Sequence, residues 1–237
     1  MKRNRWMRAG GLLVVLTLIT SCFVGGTFAK YVTENKGMDT ARVAKWGVVV
    51  TVTGDGFKTT YGKDDMNSNV KNATVISSNS DKVVAPGTKG TFGGVKITGK
   101  PEVAVKIETT ADVDLSGWNV AGGGEFYCPL VFNIGDKTIN GLDYSKSTAG
   151  GEGSFENAIK DAIQKATTKE VEANTDLTAI GKNITYSWSW PFENAKGTAA
   201  DQSDKLDTKL GDNAADNDPS NDPTISITVK TTVTQID

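Results

Sequence analysis

Apolar and polar residues alternate along much of this chain, which is the pattern of strands that bury one face. The clearest alternation runs over residues 103–115, and a second fills residues 224–236. A third begins at Ala41 and continues to residue 53, with Trp46 on its apolar side. Two-faced strands of this kind are typical of antiparallel sheets that pack one side against a core.

A fourth alternating stretch, residues 183–193, is rich in aromatic side chains. Its apolar positions are Ile184, Tyr186, Trp188, Trp190 and Phe192. Such a row could form a carbohydrate-binding platform. Core packing is favoured, because the opposite face is small and polar and large rings bury the most area inside a core. We therefore expect four core aromatics: Trp46, Trp188, Trp190 and Phe192.

Two stretches have helical spacing. The first follows Ser154, a plausible N-cap, and its apolar residues recur every three or four positions: Phe155, Ala158, Ile159, Ala162, Ile163 and Ala166. This apolar face is predicted to pack on the sheets. The second covers residues 199–210, where Thr198 and Asp201 resemble a capping box and Gly211 suits a C-terminal cap.

About eight short strands separated by turn signals indicate a mostly-β fold. The expected architecture is a single jelly-roll-like antiparallel β-sandwich over residues 41–237, with one or two short helices in insertions. No internal repeat is visible.

Residues 1–29 have the composition of a secretory signal. Four cations and no acid precede an apolar run, and small residues stand at positions 27 and 29. Cleavage is predicted between Ala29 and Lys30. Two alternatives remain: the run could persist as a membrane anchor, or Ile19-Thr20-Ser21-Cys22 could act as a lipobox with Cys22 lipidated.

After that cleavage, residues 30–40 would form a polar arm ahead of the folded domain. The residues that could act as a donor strand are Lys30, Tyr31, Val32, Thr33 and Glu34. Alternate residues of this arm point to opposite sides when it is extended, and its apolar pattern is weak. Lys30 and Lys36 would be the useful partners if subunits were joined by isopeptide bonds.

The composition removes several function classes. The 237 residues include no His, the commonest general base and zinc ligand, so no enzyme activity and no cofactor are expected. Beyond residue 29 the chain has 22 Lys and Arg against 28 Asp and Glu, which disfavours nucleic acid as a partner. Cys128 is the single thiol of that part and is expected to pack inward.

One acidic loop has the spacing of calcium ligands. Asp216, Asp218, Ser220 and Asp222 are spaced two positions apart. However, Asn221 replaces the Gly and Ile227 replaces the Glu that an EF-hand loop needs. A solvated loop is therefore favoured over a weak calcium site.

Four local patterns together resemble one family. They are G-T-F-A-K-Y at residues 26–31, D-T-A-R-V-A-K-W-G-V at 39–48, W-S-W-P-F-E at 188–193 and D-T-K-L-G at 207–211. The chain resembles the TasA/camelysin-like family of Gram-positive bacteria, in particular its BsaA-type biofilm matrix proteins. The resemblance implies a jelly-roll fibre subunit, exported through a SipW-type signal peptidase, whose N-terminal arm adds a strand to the next subunit. The metalloendopeptidase activity described for camelysin is not expected here, since the chain has no His.

These observations predict a secreted structural subunit that assembles with copies of itself, with possible accessory subunits, in the extracellular matrix or at the cell surface. Contact with the membrane is expected only through the leader. The alternative is a surface adhesin or carbohydrate-binding sandwich that uses the Trp188 and Trp190 face. A secreted hydrolase is a third hypothesis, for which the sequence offers no catalytic group.

Overall fold

The computed structural model describes residues 40–52, 54–66, 75–120, 125–145, 151–180, 186–193, 198–215 and 222–236, with residues 198–201 as backbone only. The chain divides into two units, Met1–Arg42 and Val43–Asp237. Of the first unit only residues 40–42 are described, and the architecture below is that of the second.

The described part of the second unit contains eleven strands and two α-helices. The strands are β1 Val49–Val52, β2 Thr60–Tyr61, β3 Val75–Ile76, β4 Lys89–Phe92, β5 Val95–Thr98, β6 Val105–Ser116, β7 Val131–Ile134, β8 Lys137–Asn140, β9 Lys169–Val171, β10 Tyr186–Ser189 and β11 Thr224–Gln235. The helices are α1 Gly151–Thr167 and α2 Thr198–Asn213. Short 3-10 turns lie at Lys63–Asp65, Gly141–Tyr144 and Leu177–Ala179.

The strands form antiparallel sheets. One sheet has four strands in the order β4-β10-β7-β8, and another has three in the order β11-β6-β9. Two further pairs, β1-β5 and β2-β3, complete the set within the described residues. The prediction of a mostly-β, sandwich-like fold with two helices is therefore confirmed, while the jelly-roll connectivity stays a prediction.

The core lies between the sheets and α1. On β6 one face is buried at Val105, Ile107, Thr109, Val113 and Leu115 and half-buried at Ala111, while no residue of the other face is buried. Helix α1 packs along β6 and buries Phe155, Ile159 and Ile163. The Phe155 ring lies 5.8 Å from that of Phe132 on β7, measured between centroids. Burial of each large side chain contributes about 1.5–3 kcal/mol, so the helix is held on the sandwich as predicted.

Two of the four expected core aromatics lie at the surface. Trp46 is 41% exposed and Phe192 is 42% exposed. The alternation that placed Trp46 inside is interrupted at Gly47, whose φ of +54° breaks the extended backbone, so β1 begins only at Val49. Phe192 lies beyond Pro191 and beyond the end of β10 at Ser189. Both residues therefore lie outside the strands in which the sequence pattern placed them.

The helix boundaries also differ from those predicted. Helix α1 begins at Gly151, so Ser154 lies inside its first turn and is not the N-cap. Gly151 itself has a φ of +63°, a left-handed conformation that Gly adopts without steric cost. Helix α2 continues to Asn213, which places Gly211 within the helix and not at its C-terminal cap. The side chains of Thr198 and Asp201 are outside the described part, so their capping box is not tested.

Candidate functional site

The strand β11 is the longest element at the border of a sheet. Its twelve residues pair with all twelve residues of β6, from Thr224 opposite Ser116 to Gln235 opposite Val105. Its alternate residues from Ile225 to Val233 are half-buried on the core side. The strand is therefore firmly held along one of its two edges.

The direction of the outward backbone groups of β11 follows from one hydrogen bond on β6. The backbone N–H of Leu115 donates to Oε1 of Glu156 on α1, at 2.8 Å, so it points away from β11. Opposite residues in an antiparallel pair alternate between hydrogen-bonded and non-hydrogen-bonded pairs. Leu115 and Ile225 therefore form a non-hydrogen-bonded pair, and the N–H and C=O of Ile225 point to the outer side of β11.

The same alternation fixes the other outward residues. They are Ile225, Ile227, Val229, Thr231 and Val233, and their outward N–H and C=O groups are called the open edge below. The Oγ1 atoms of Thr109 and Thr231 lie 2.8 Å apart. The alternation agrees with the residue that follows β11: the N–H of Ile236 donates to the C=O of Ala104 at 2.9 Å, as in a hydrogen-bonded pair of even-numbered positions.

No strand within the described residues is hydrogen-bonded to the open edge. Strand β1 lies near β11, but its ladder is made with β5, from Val49 opposite Thr98 to Val52 opposite Val95. Natural edge strands are usually protected by Pro, by several charges or by bulges. Between Thr224 and Gln235 there is no Pro and a single charged residue, Lys230. Among the described residues the open edge has no strand partner, which is the condition under which an edge can pair with another strand.

A groove of about 420 Å³ runs beside the first half of β11. It is lined by Val52, Gly54, Gly56, Phe57, Lys82, Phe92, Gly93 and the β11 residues from Ile225 to Val229. Gly93 has a φ of +56°, and a Cβ there would lie 3.0 Å from Cγ2 of Val229. A Cβ on Gly56 would lie 2.3 Å from Cβ of Phe92. These close approaches are possible only because the two residues lack side chains.

A second surface feature precedes β1. Val43, Trp46 and Val49 are 91%, 41% and 58% exposed, and together they are called the apolar ridge below. The ridge is held in place by the backbone of Lys45, whose N–H donates to Oε2 of Glu102 and whose C=O accepts from the N–H of Glu102, each at 2.9 Å. These two hydrogen bonds fix the backbone at Lys45, and the pairing of β1 with β5 fixes it at Val49.

Trp188 and Trp190 face inward and are hydrogen-bonded there. Trp188 is 1% exposed, and its Nε1–H donates to the C=O of Gly56 at 2.8 Å. Trp190 is buried, and its Nε1–H donates to Oδ2 of Asp207 at 3.1 Å. Neither ring is available to stack on a sugar, so the aromatic platform of the adhesin alternative is not present.

The carboxylate of Asp207 links α2 to the core. Besides Trp190, it accepts a hydrogen bond at Oδ1 from the hydroxyl of Tyr127, at 2.7 Å. Burial raises the pKa of Asp207, partly offset by these two hydrogen bonds. Burial and then the nearby carboxylate raise the pKa of Tyr127. Sequence analysis did not single out Asp207, although its place one residue after Leu206 and three before Leu210 puts it beside the apolar side of α2.

Several predicted site residues lie outside the described part of the chain. These are Cys22, the cleavage residues Ala29 and Lys30, the arm residues Tyr31, Val32, Thr33 and Glu34, and two calcium candidates, Asp216 and Asp218. Of the third candidate, Asp222, atom Oδ1 is buried without a hydrogen-bond partner among the described residues. In the described ranges no three His, Cys, Asp or Glu side chains are placed to hold a metal ion.

The structure gives the surroundings of the Cys128 thiol and of the described lysine side chains. Cys128 is fully buried, and burial raises the pKa of its thiol, so the thiol stays protonated and packs in the core. Each lysine whose position is described is at least partly exposed. A spontaneous isopeptide bond needs an enclosed lysine, and that condition is not met by any of these.

Comparison of the chain with protein-family models, with curated proteins and with solved structures gives no match. Neither α1 nor α2, the two α-helices that are described, has the length and apolar character needed to cross a membrane.

Proposed function

We propose that the mature chain is a secreted structural subunit that assembles with copies of itself into extracellular fibres. In this proposal residues 30–40 of one subunit add a strand to the open edge of β11 in the next. The observation that carries the proposal is the twelve-residue border strand β11, which has no strand partner on its outer side within the described residues. The sequence resemblance to TasA-like matrix proteins, and their export by a SipW-type peptidase, supports the same function.

The dimensions of the two partners agree. An extended chain rises about 3.3 Å per residue, so residues 30–40 would span about 36 Å and the twelve residues of β11 about 40 Å. Backbone hydrogen bonds give affinity in strand addition, and alternate side chains give register. The arm of one copy and the edge of another are different surfaces, so the contact is head-to-tail and extends into a filament when it does not close.

A structural subunit of the proposed kind needs no catalytic groups. The chain has no His, and the described carboxylates include no cluster that could hold a metal ion. We propose a non-enzymatic role in the matrix or at the cell surface. The adhesin alternative has lost its aromatic platform, since Trp188 and Trp190 are buried.

A matched pair of proline substitutions tests the open edge. Ile227→Pro removes an outward N–H, which a free edge strand tolerates, whereas Thr228→Pro removes an N–H of the β6 ladder. We expect Ile227→Pro to fold, by circular dichroism, but to form no fibres by negative-stain electron microscopy. Thr228→Pro should lower the melting temperature much more, because it breaks the ladder inside the sheet.

Fibre formation by a folded Ile227→Pro variant at the wild-type concentration would contradict strand addition at β11. If this variant does not fold, Val233→Pro, near the end of the same edge, provides the same comparison. Wild-type mature protein that stays monomeric at every concentration would contradict the proposed function itself.

A further inference from the structure

Backbone pairing alone is too weak to hold the proposed arm. A net backbone hydrogen bond contributes about 0.5–1.5 kcal/mol, while ordering one residue of free chain costs about 1–2 kcal/mol. Residues 30–40 contain few apolar side chains, namely Tyr31, Val32 and Met38. A stable contact between subunits therefore needs further apolar burial close to the arm.

The apolar ridge has the properties of such an anchor. Val43, Trp46 and Val49 are the exposed apolar side chains nearest in sequence to the arm. The backbone beside them is fixed at Lys45 by the reciprocal hydrogen bonds with Glu102, and at Val49 by the pairing of β1 with β5. A rigid apolar group loses little conformational freedom on binding, which increases affinity.

Chain length brings the ridge to the same neighbour as the arm. Val43 follows Thr40, the last arm residue, by three positions. Three extended residues span about 10 Å. An arm that lies on a second copy therefore holds Val43 within about 10 Å of that copy, Trp46 within about 20 Å and Val49 within about 30 Å.

We propose that Val43, Trp46 and Val49 form the apolar anchor of the contact between subunits, buried against the second copy of this chain that receives the arm. This inference rests on the proposed function, because it takes the arm as the link. It adds the side chains that carry the apolar burial. Trp is among the residues that most often dominate the binding energy of an interface.

Tryptophan fluorescence tests the anchor in the wild-type chain, with Trp46→Phe as the control. The mature chain has four Trp residues, and Trp118, Trp188 and Trp190 are at most 4% exposed. Acrylamide quenching of the monomer should therefore report Trp46. We expect the quenchable fraction to fall on assembly, and Trp46→Phe to remove that change while fibres still form.

A matched pair of substitutions measures the contribution of Trp46. Trp46→Ala should raise the critical concentration for assembly at least about tenfold, as expected for a residue that dominates an interface. Phe192→Ala, which removes an aromatic ring of equal exposure elsewhere, should leave it within about twofold. Both variants should keep the wild-type melting temperature within a few degrees.

The outcomes separate the anchor from the proposed function. Fibres in which Trp46 remains as quenchable as in the monomer would overturn the anchor and leave strand addition standing. If Trp46 is already protected from acrylamide in the monomer, the ridge packs against the arm of its own chain. That result would also overturn the anchor. Absence of any assembly by the wild type would contradict the proposed function and the anchor together.

Discussion

At the scale of single residues, Asp207 is the side chain that most directly joins a helix to the core. Its two carboxylate oxygens accept hydrogen bonds from Tyr127 and Trp190, which belong to different parts of the chain. Loss of the carboxylate would leave the Nε1–H of Trp190 without this acceptor, while the hydroxyl of Tyr127 keeps the C=O of Ser203 at 3.3 Å. A buried donor without an acceptor costs more free energy than the net contribution of the hydrogen bond that it made.

Asp207→Ala is expected to lower the free energy of unfolding by about 1–3 kcal/mol, measured by urea denaturation. Asp204→Ala, on the exposed side of the same helix, serves as the control and should change it by no more than about 0.5 kcal/mol. The pH dependence gives a second readout. Burial raises the pKa of Asp207, so the folded state holds this proton more tightly than the unfolded state.

The sign of this effect follows from the linkage. Protonated Asp207 stabilises the folded state. This stabilisation develops as the pH falls through the raised pKa of Asp207 and is lost as the pH rises through that pKa. Relative to Asp207→Asn, which does not titrate, the wild type should therefore gain stability on acidification from pH 7 towards the ordinary Asp pKa of about 3.9. Equal pH dependence of the two proteins, or similar losses for the Asp207 and Asp204 alanine variants, would contradict the burial of this carboxylate.

The residues that sequence reasoning placed wrongly share one physical cause. In the amino-acid sequence, Trp46 and Phe192 continue an apolar alternation. In the structure, Gly47 and Pro191 end the extended backbone beside them. Periodicity describes which side chains would share a face if the strand continued. It does not report where a glycine or proline stops it. Trp188, inside β10, is buried because no such interruption separates it from its neighbours.

At the scale of elements, α1 protects part of β6 that no strand covers among the described residues. On the edge of β6 that faces away from β11, β9 pairs only with Val105–Ile107. Further along the same edge, the N–H of Leu115 donates to the carboxylate of Glu156. Glu156 has 18% side-chain exposure and lies 4.0 Å from Nζ of Lys160. The helix thus supplies a polar partner as well as apolar burial.

Glu156→Ala is expected to lower the free energy of unfolding by about 1–2 kcal/mol, because the N–H of Leu115 loses a charged acceptor. Glu156→Gln keeps a side-chain oxygen at that place and should cost less than half as much. Hydrogen exchange should show faster exchange of the Leu115 amide in the alanine variant only. Equal losses for the two variants would mean that this hydrogen bond does not hold α1 on β6.

The long elements were predictable because their own residues define them. Residues 103–115 and 225–233 alternate with a period of two, and β6 and β11 begin and end within two residues of those limits. Which strands become neighbours depends on contacts between residues about 120 positions apart. The place of β11 at the border of a sheet, and hence the open edge, could not be derived from any local pattern.

At the scale of the whole molecule, three surfaces have separate tasks in the proposed fibre. The arm is the donor strand, the open edge of β11 is its acceptor, and the apolar ridge supplies side-chain burial beside the arm. The arm was inferred from the sequence, and the other two were found only in the structure. Each surface can be tested by its own substitution or deletion.

The most direct test of this account compares the mature chain that begins at Lys30 with a chain that begins at Thr40. Sedimentation and negative-stain electron microscopy are carried out at matched concentrations, with circular dichroism as a check on folding. The account predicts long fibres for the first chain, and folded monomers with an unchanged melting temperature for the second. Fibres of the same abundance from the chain that begins at Thr40 would contradict it.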